Sequence, residues 1–323
     1  MSQIQRIDFN KSLILKFLIK MKKQHLIILA AATMILATGC NRLDILGMVV
    51  NRSDTEERVA DWLDYNAQYG EPVIESVPDE YCVYSCSDSH YSQRDSIVPQ
   101  GEKDRLYKYI TAERNDPKAI FAIHAGDMVN ESGEAGFIMT EAALQYNAET
   151  QAKNDPCFLV MGNHDVYFDC APYFKQHFHT STYTVTVKTV GGFKDLYIFL
   201  DSGNGTHGKR QLEWLEEKLS HREDYRHCIV ISHNWMFRTS YNYTTTPAAN
   251  LPQDEQYAFM DLMSNHNVEV VLMGHFHMRE QRQFGGVQYL MTDNLNDGKV
   301  TPSYLVLTVG EKVGYEYEEL NMD

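Results

Sequence analysis

Five apolar stretches of this chain each end in residues that can bind a metal ion or transfer a proton. The densest group is Gly162-Asn163-His164-Asp165, where an amide, an imidazole and a carboxylate follow the apolar run 157–161. Mixed nitrogen and oxygen ligands suit Fe, Mn or Zn rather than Ca or Cu(I). The repetition predicts a shared metal site. The other four groups are Asp88-Ser89-His90, His124-Ala125-Gly126-Asp127, His233-Asn234 and Gly274-His275-Phe276-His277.

Strands are the elements that have to position these residues. Each apolar run has the length and composition of a buried strand, and the carboxyl ends of parallel strands meet at one edge of a sheet. Helical periodicity or composition between the runs predicts an α/β fold. The predicted helices are 55–63, 103–113, 134–152, 211–219 and 256–263. The predicted strands are 82–87, 121–127, 157–161, 182–190, 195–201, 227–232, 268–273, 288–292 and 304–309.

Each motif alone also has a structural interpretation. The spacing of Asp88 and His90 is common in loops that cap a neighbouring element. His124 lies inside its strand, so we interpret it as a core histidine or a support rather than a ligand. The irregular segment 235–253 is interpreted as shaping substrate entry, with a surface insertion as the alternative. The order of the five motifs therefore matters more than any one of them.

That order resembles the calcineurin-like metallophosphoesterase superfamily over about residues 80–310. The resemblance implies a four-layer sandwich, in which two mixed β-sheets pack face to face between flanking helices. It also implies two divalent or mixed-valence transition-metal ions (Mn, Fe or Zn) and in-line attack on phosphorus by a hydroxide bridging them. The implied ligands are Asp88, His90, Asp127 and His277 for one ion, and Asp127, Asn163, His233 and His275 for the other.

Three further residues receive roles from the same resemblance. His164 would act as the general acid or transition-state donor on the leaving-group side. Asp165 would hold the other ring nitrogen of His164 and fix its tautomer, the alternative being a helix cap. Asn130 would donate a hydrogen bond to a phosphate oxygen.

Departures from the superfamily's branches narrow the predicted activity. Phosphoprotein phosphatases carry an arginine where Asn130-Glu131 stands here. Purple acid phosphatases carry a tyrosine ligand in the second motif and lack the first histidine, whereas this chain has His90. What remains resembles the branch of cyclic-nucleotide and glycerophosphodiester phosphodiesterases. We therefore predict a phosphodiesterase, with a phosphomonoesterase or nucleotidase as the alternative and a non-catalytic binding lipoprotein as the less favoured one.

Composition limits the substrates. The chain of 323 residues has a formal net charge of −15, and 43% of its residues are hydrophobic, which suits a folded and acidic body. Such a body repels nucleic-acid polymers, so a small phosphoester is the predicted substrate. Bound metal ions would supply the local positive charge that a small anion needs. No protein partner is inferred.

The first 40 residues have the pattern of an export signal. Lys22 and Lys23 precede a short apolar run, and the segment ends Leu36-Ala37-Thr38-Gly39-Cys40, which resembles the lipobox of bacterial lipoproteins. The alternatives are an ordinary secretory signal or a buried helix. The resemblance implies export and a membrane anchor through a lipid on Cys40, on the periplasmic side or the cell surface of a bacterium.

Three segments follow from this interpretation. Residues 1–40 are the signal and lipobox, with translation expected to start at Met21; residues 41–71 are a tether with a packing helix; residues 72–323 are the metallophosphoesterase domain. Five cysteines remain after Cys40, four of them in or beside apolar runs, and none has CxxC spacing. We interpret them as packing residues. They are Cys82, Cys86, Cys157, Cys170 and Cys228.

Overall fold

The computed structural model describes residues 54–93, 97–130, 135–153, 156–237, 251–292, 294–295 and 301–320. The predictions made for residues 1–40, for the first part of the tether and for most of 235–253 lie outside these ranges. The described strands are β1 Val73–Val77, β2 Tyr81–Cys86, β3 Ala119–His124, β4 Cys157–Leu159, β5 Tyr183–Thr189, β6 Lys194–Phe199, β7 His227–Ile231, β8 Val270–Met273, β9 Glu280–Phe284, β10 Val287–Met291, β11 Ser303–Val309 and β12 Val313–Glu319. The described α-helices are α1 Thr55–Tyr69, α2 Gln100–Asn115, α3 Ala135–Lys153, α4 Ala171–Phe178, α5 Lys209–Leu219 and α6 Gln253–Asn265.

The strands form two mixed sheets. The larger has the order β1-β5-β6-β7-β8-β10-β9, and the smaller has the order β12-β11-β2-β3-β4. Pairing is parallel along β6-β7-β8-β10 in the first sheet and along β2-β3-β4 in the second. The motif-bearing strands β2, β3, β4, β7 and β8 all lie in these parallel parts. Their carboxyl ends can therefore deliver polar residues to one edge of the sandwich.

The two sheets bury a common core between them. Val83 and Ile123 of the smaller sheet belong to the same buried cluster as Ile229 and Leu272 of the larger sheet. Alternate residues of these strands face outward and pack under helices, because side chains alternate across a strand. Leu106 of α2 lies in the outer cluster of the smaller sheet. The predicted α/β four-layer sandwich is thereby confirmed.

A second outer cluster covers the larger sheet. Leu215 and Leu219 of α5 and Met263 of α6 pack there against Val230 and Val271. The leucines lie four residues apart, which places them on one face of the helix. The predicted amphipathic helix 211–219 therefore covers the sheet as its periodicity indicates.

Three edge strands and one short helix are not among the predicted elements. Four of the five residues of β9 are exposed, and its sequence has no alternating apolar positions. β12 has no fully buried residue, although Val313, Tyr315 and Tyr317 alternate along it with polar residues and glycine. In β1 only Val77 is buried. Helix α4 has eight residues, which is too few for a clear helical period. Edge strands with polar side chains protect a sheet from pairing with other chains, and in β9 this composition removes the apolar pattern that would predict a strand.

Helix α1 is fixed to the domain by buried polar contacts. Asp54 caps its first turn by accepting a hydrogen bond from the backbone N–H of Glu56 at 2.6 Å. The Arg58 guanidinium donates two hydrogen bonds to the Asp201 carboxylate, at 2.9 and 3.0 Å. The indole N–H of Trp62 donates to the same carboxylate at 3.1 Å. Since Asp201 is fully buried, this ion pair is shielded from solvent.

Replacing Arg58 with methionine should destabilise the fold by about 3–5 kcal/mol at pH 7, because the Asp201 charge would stay buried without its cation. Burial would raise the pKa of Asp201, but the Arg58 charge and hydrogen bonds lower it overall. The stabilisation is therefore present above the unfolded-state pKa of about 3.9 and is lost as pH falls through the lower folded-state pKa.

Urea unfolding of wild type and Arg58→Met at pH 7 and pH 4 measures this effect. The difference in free energy of unfolding between wild type and variant should be smaller at pH 4. There the unpaired Asp201 of the variant is protonated, so no uncompensated charge is buried. Asp61→Asn is the matched control, since Asp61 of the same helix makes an exposed 2.5 Å pair with Lys175. That control should cost less than about 1 kcal/mol at either pH. An equal effect of Arg58→Met at both pH values would contradict the assignment.

Candidate metal centre

The first group of ligand types gathers residues from two sheets. Asp88 and His90 follow β2, and His277 follows β8. The Nε2 atom of His277 lies 3.3 Å from Oδ1 of Asp88, and that of His90 lies 3.6 Å from the same oxygen. The two imidazole Nε2 atoms are 2.8 Å apart. One ligand atom from each residue lies within 4.8 Å of the others, which is a spacing that a single cation can bridge.

The second group is centred on Asp127, which follows β3. Its Oδ2 atom lies 3.1 Å from Nε2 of His233, and His275 completes a set within 4.8 Å. Asp127 also forms a third set with His90 and His164, at 3.8 and 3.9 Å. Asp127 therefore stands between the two groups, the position expected of a residue shared by two ions.

Asn163 lies beside Asp127. The backbone N–H of His164 donates to Oδ1 of Asp127 at 2.8 Å. A Cβ on Gly162 would come within 2.1 Å of that same oxygen, so only glycine allows the two loops to approach this closely. Asn163, between these two contacts, is buried. The structure thus brings together all seven predicted ligands at one edge of the sandwich.

Buried ligand atoms without hydrogen bonds show that these residues fit a cation. Buried polar groups are nearly always hydrogen-bonded, and exceptions call for an explanation such as an ion. Among the described residues no hydrogen-bond partner is found for Oδ1 of Asn163 or either ring nitrogen of His275. Oδ1 of Asp88 and Nε2 of His233 lie against other predicted ligands, His277 and Asp127. Each of these atoms either carries a lone pair that can bind a cation or exposes one when it loses a proton. Cations placed among them would satisfy the whole set.

The backbone at the site is held in an unusual conformation. Five of the seven predicted ligands have positive φ angles, between 45° and 84°, and none of the five is glycine. Such residues cost about 1–3 kcal/mol each and cluster where geometry serves function. The rest of the fold therefore has to offset this loss of stability, and the strained backbone directs these side chains toward one another. They are Asp88, His90, Asp127, His275 and His277.

His233 is oriented by the backbone. Its Nδ1 atom lies 2.8 Å from the carbonyl oxygen of Ala125, so Nδ1–H donates there and Nε2 points at Asp127. Burial would lower the pKa of His233, but the Asp127 carboxylate raises it to about 9. Burial lowers the pKa of His275 to about 3, which favours the neutral form that metal ligation requires. A cation beside Asp127 would take the place of the proton on His233.

Asp165 has a different role from the one predicted. Its carboxylate accepts backbone N–H groups of Asp127 and Gly162 at 2.9 Å, and also those of Met128 and Val129. Both oxygens thus bind backbone N–H groups rather than the ring of His164. The prediction that Asp165 fixes the tautomer of His164 is therefore wrong, and Asp165 instead connects the two loops that carry Asp127 and Asn163. Burial and the nearby Asp127 charge raise the pKa of Asp165 to about 7.

The remaining predicted residues lie around this centre. Nε2 of His124 is 3.0 Å from Oγ of Ser89, and burial lowers the pKa of His124 to about 3, which fits a support between two ligand loops. The half-buried Asn130 donates its backbone N–H to the Tyr91 carbonyl at 2.8 Å. His164 and His277 are the partly exposed residues of the site, with side chains 21% and 39% exposed.

The family of the protein follows from this fold and site together. The calcineurin-like phosphoesterase family matches residues 83–279, and the chain belongs to that family. A dimetal phosphatase from Danio rerio is similar in structure, with 12% identity, a TM-score of 0.54, and coverage of 75% of this chain and 99% of that one. A purple acid phosphatase from yellow lupin (Lupinus luteus) seeds has 14% identity and a TM-score of 0.55, with coverage of 75% and 52%.

These likenesses concern the fold. No curated protein sequence matches the chain. The family and the ligand set together define an enzyme, a metal-dependent phosphoester hydrolase with residues suited to a dinuclear centre of divalent ions.

Proposed function

We propose that this enzyme is a phosphodiesterase acting on a small anionic phosphoester. The observation that carries the proposal is the charge around the centre. Among the described residues, every ion pair of Asp88 and Asp127 is with a histidine. A phosphomonoester dianion carries one more negative charge than a diester and calls for an additional fixed cation. A diester with a single charge needs only the metal centre.

The arginine nearest in sequence to a predicted ligand contacts residues of the two C-terminal strands. Arg279, two residues after His277, donates to Oγ of Ser303 at 3.0 Å and lies over the ring of Tyr317. It also lies 3.5 Å from the Glu319 carboxylate. Arg238, in the segment after His233, lies outside the described residues.

The roles of the chain's own residues follow from where they stand. Two divalent Mn, Fe or Zn ions bound by the seven ligands would supply Lewis acidity and hydroxide at neutral pH. His164, at the open side of the centre, would donate a proton to the departing alkoxide oxygen. The amide of Asn130 would hydrogen-bond a phosphate oxygen. Asp165 would keep the Asp127 and Gly162 loops together while the substrate is bound.

Comparing bis-p-nitrophenyl phosphate with p-nitrophenyl phosphate after Mn loading tests the preference. We expect kcat/KM for the diester to be higher by about tenfold, which corresponds to about 1.4 kcal/mol of differential transition-state binding. The same rates measured with Asp127→Asn establish that one centre performs both reactions. A clear monoester preference would replace the proposal with a phosphomonoesterase or nucleotidase.

We also propose that the enzyme works at a bacterial membrane surface, held by a lipid on Cys40. The support is the lipobox-like sequence before this cysteine. Within the described residues, no helix has the length and apolarity needed to cross a bilayer. Cys40→Ser should move the enzyme from the membrane fraction and abolish labelling by a palmitate analogue. Cys228→Ser is the control, since Cys228 is buried in β7. Unchanged membrane fractionation and labelling of Cys40→Ser would contradict the anchor.

A further inference from the structure

A buried loop after β6 contacts the backbone of a metal ligand. Oγ of Ser202 accepts hydrogen bonds from the backbone N–H groups of His233, at 3.3 Å, and Asn234, at 3.2 Å. Oγ of Ser232 lies 3.2 Å from the same atom. Ser202, Ser232 and His233 are fully buried. The backbone N–H of His233 is therefore held by a serine side chain from another strand end, while its carbonyl oxygen accepts the N–H of Gly274 at 2.9 Å.

The loop is itself clamped on both sides of Ser202. The Asp201 carboxylate accepts hydrogen bonds from Arg58 and Trp62 of α1, as described for the fold. Gln211 of α5 accepts the backbone N–H of Asp201 at 2.9 Å and donates to its carbonyl oxygen at 2.7 Å. The backbone N–H of Gly203 donates to the Asp201 carboxylate at 2.9 Å. Two helices thus fix the segment that carries Ser202.

A second chain of contacts reaches the same place. Nε2 of His207 lies 3.1 Å from Oγ of Ser232, and its Nδ1 lies 3.2 Å from the Glu255 carboxylate. The His207 ring stacks on Phe259 at 4.9 Å. The order Ser-His-Glu is that of a nucleophilic triad, but Ser232 is fully buried and its Oγ lies against Ser202. These residues support the loop rather than attack a substrate.

We propose that Ser202 is a positioning residue for the metal ligand His233, and that Arg58 and Trp62 of α1 hold Ser202 in place through Asp201. Helix α1 precedes the region 83–279 that matches the family. It then belongs to the support of the active site and is more than a spacer after the export signal. The inference rests on the assignment of His233 as a metal ligand.

The physical reason is the tolerance of a metal site. Ligands have to be held within about 0.5 Å of their productive positions by the residues behind them. Removing Oγ of Ser202 takes away the acceptor that the buried His233 N–H has in this structure, and the backbone at His233 has to move to find another. Loss of such supporting contacts weakens metal binding by about 10–100-fold.

Ser202→Ala tests the first half of the proposal. Mn²⁺ is titrated into the metal-free protein by calorimetry, and electron paramagnetic resonance reports whether two coupled ions are bound. We expect one of two binding steps to weaken by about 10–100-fold while the other stays unchanged. Ser85→Ala is the matched control, because Ser85 is fully buried in β2 and its Oγ has no hydrogen-bond partner among the described residues.

Thermal unfolding of the metal-free variants separates positioning from stability. If the serine were merely structural, its removal would lower Tm and leave the affinity of the folded protein for Mn²⁺ unchanged, and that result would overturn the assignment.

Arg58→Lys and Asp201→Asn test the second half of the proposal, with Asp61→Asn of α1 as the control. These variants keep a polar partner and avoid the larger loss expected of Arg58→Met. We expect both to weaken the same binding step as Ser202→Ala.

The outcomes for the centre and for its support are distinct. If the wild-type protein binds fewer than two Mn²⁺ ions, the assignment of the dinuclear centre fails. If the wild type binds two ions and Ser202→Ala binds them equally well, the centre stands and the positioning role is wrong. If Ser202→Ala is impaired but Arg58→Lys and Asp201→Asn match the control, the role of α1 is wrong.

Discussion

Asp127→Asn should lose about 10³-fold or more in kcat for diester hydrolysis and should retain at most one metal ion per chain. The Asp127 carboxylate stands between the two ligand groups, 3.1 Å from Nε2 of His233 and 3.8 Å from Nε2 of His90. An amide has one oxygen and no charge, so it cannot serve two cations as a carboxylate does. Losing a Lewis acid worth several kcal/mol reduces the rate about tenfold for each 1.4 kcal/mol.

Metal content by plasma mass spectrometry, measured beside kcat, checks this prediction. Asn can still accept the hydrogen bond from the backbone N–H of His164, so the loop should keep its shape. Asp195→Asn is the control for removing a buried carboxylate. Asp195 lies in β6, away from the centre, and pairs with Arg226. That control should keep two ions per chain. Two ions retained by Asp127→Asn would rule out its shared position.

The ligands could be predicted because each of them directly follows a strand that has a strong signal of its own. Strands β7 and β8 are fully buried, residues 228–231 and 270–273 form continuous apolar runs, and the first metal-ligand residue types after these runs are His233 and His275. A buried strand leaves few alternatives for where its carboxyl end lies. The predicted helix 103–113 and strand 304–309 agree with α2 and β11 to within about three residues at each end.

What could not be predicted depends on backbone groups and on pairs distant in sequence. Asp165 accepts hydrogen bonds from four backbone N–H groups, and the sequence carries no pattern that predicts backbone partners. Arg58 and Asp201 are 143 positions apart, and nothing near either residue indicates the pair. Ser202 contacts His233 through a backbone N–H, so its role has no motif. The support of a site is therefore less visible in sequence than its ligands.

His164→Ala should lose about 10²–10⁴-fold in kcat on diesters with an alkoxide leaving group, which is the range of general acid catalysis. Diesters that release p-nitrophenolate should change little, because this leaving group departs without protonation. His164 stands at the open side of the centre, with its Nε2 atom 3.9 Å from Oδ2 of Asp127 and its ring in edge contact with that of His90. Its partly exposed side chain can therefore reach an oxygen of a bound substrate, and it is not among the seven predicted ligands.

The measurement compares two diesters of matched size, one with an alkoxide and one with a p-nitrophenolate leaving group, on wild type and variant. His177→Ala is the control, since His177 lies in α4 and contacts Thr140 rather than the centre. Both variants should bind two metal ions per chain, so that a change in rate reflects proton transfer and not metal loss. Equal losses on the two diesters would remove the proton-donor role, because a general acid acts only where the leaving group needs its proton.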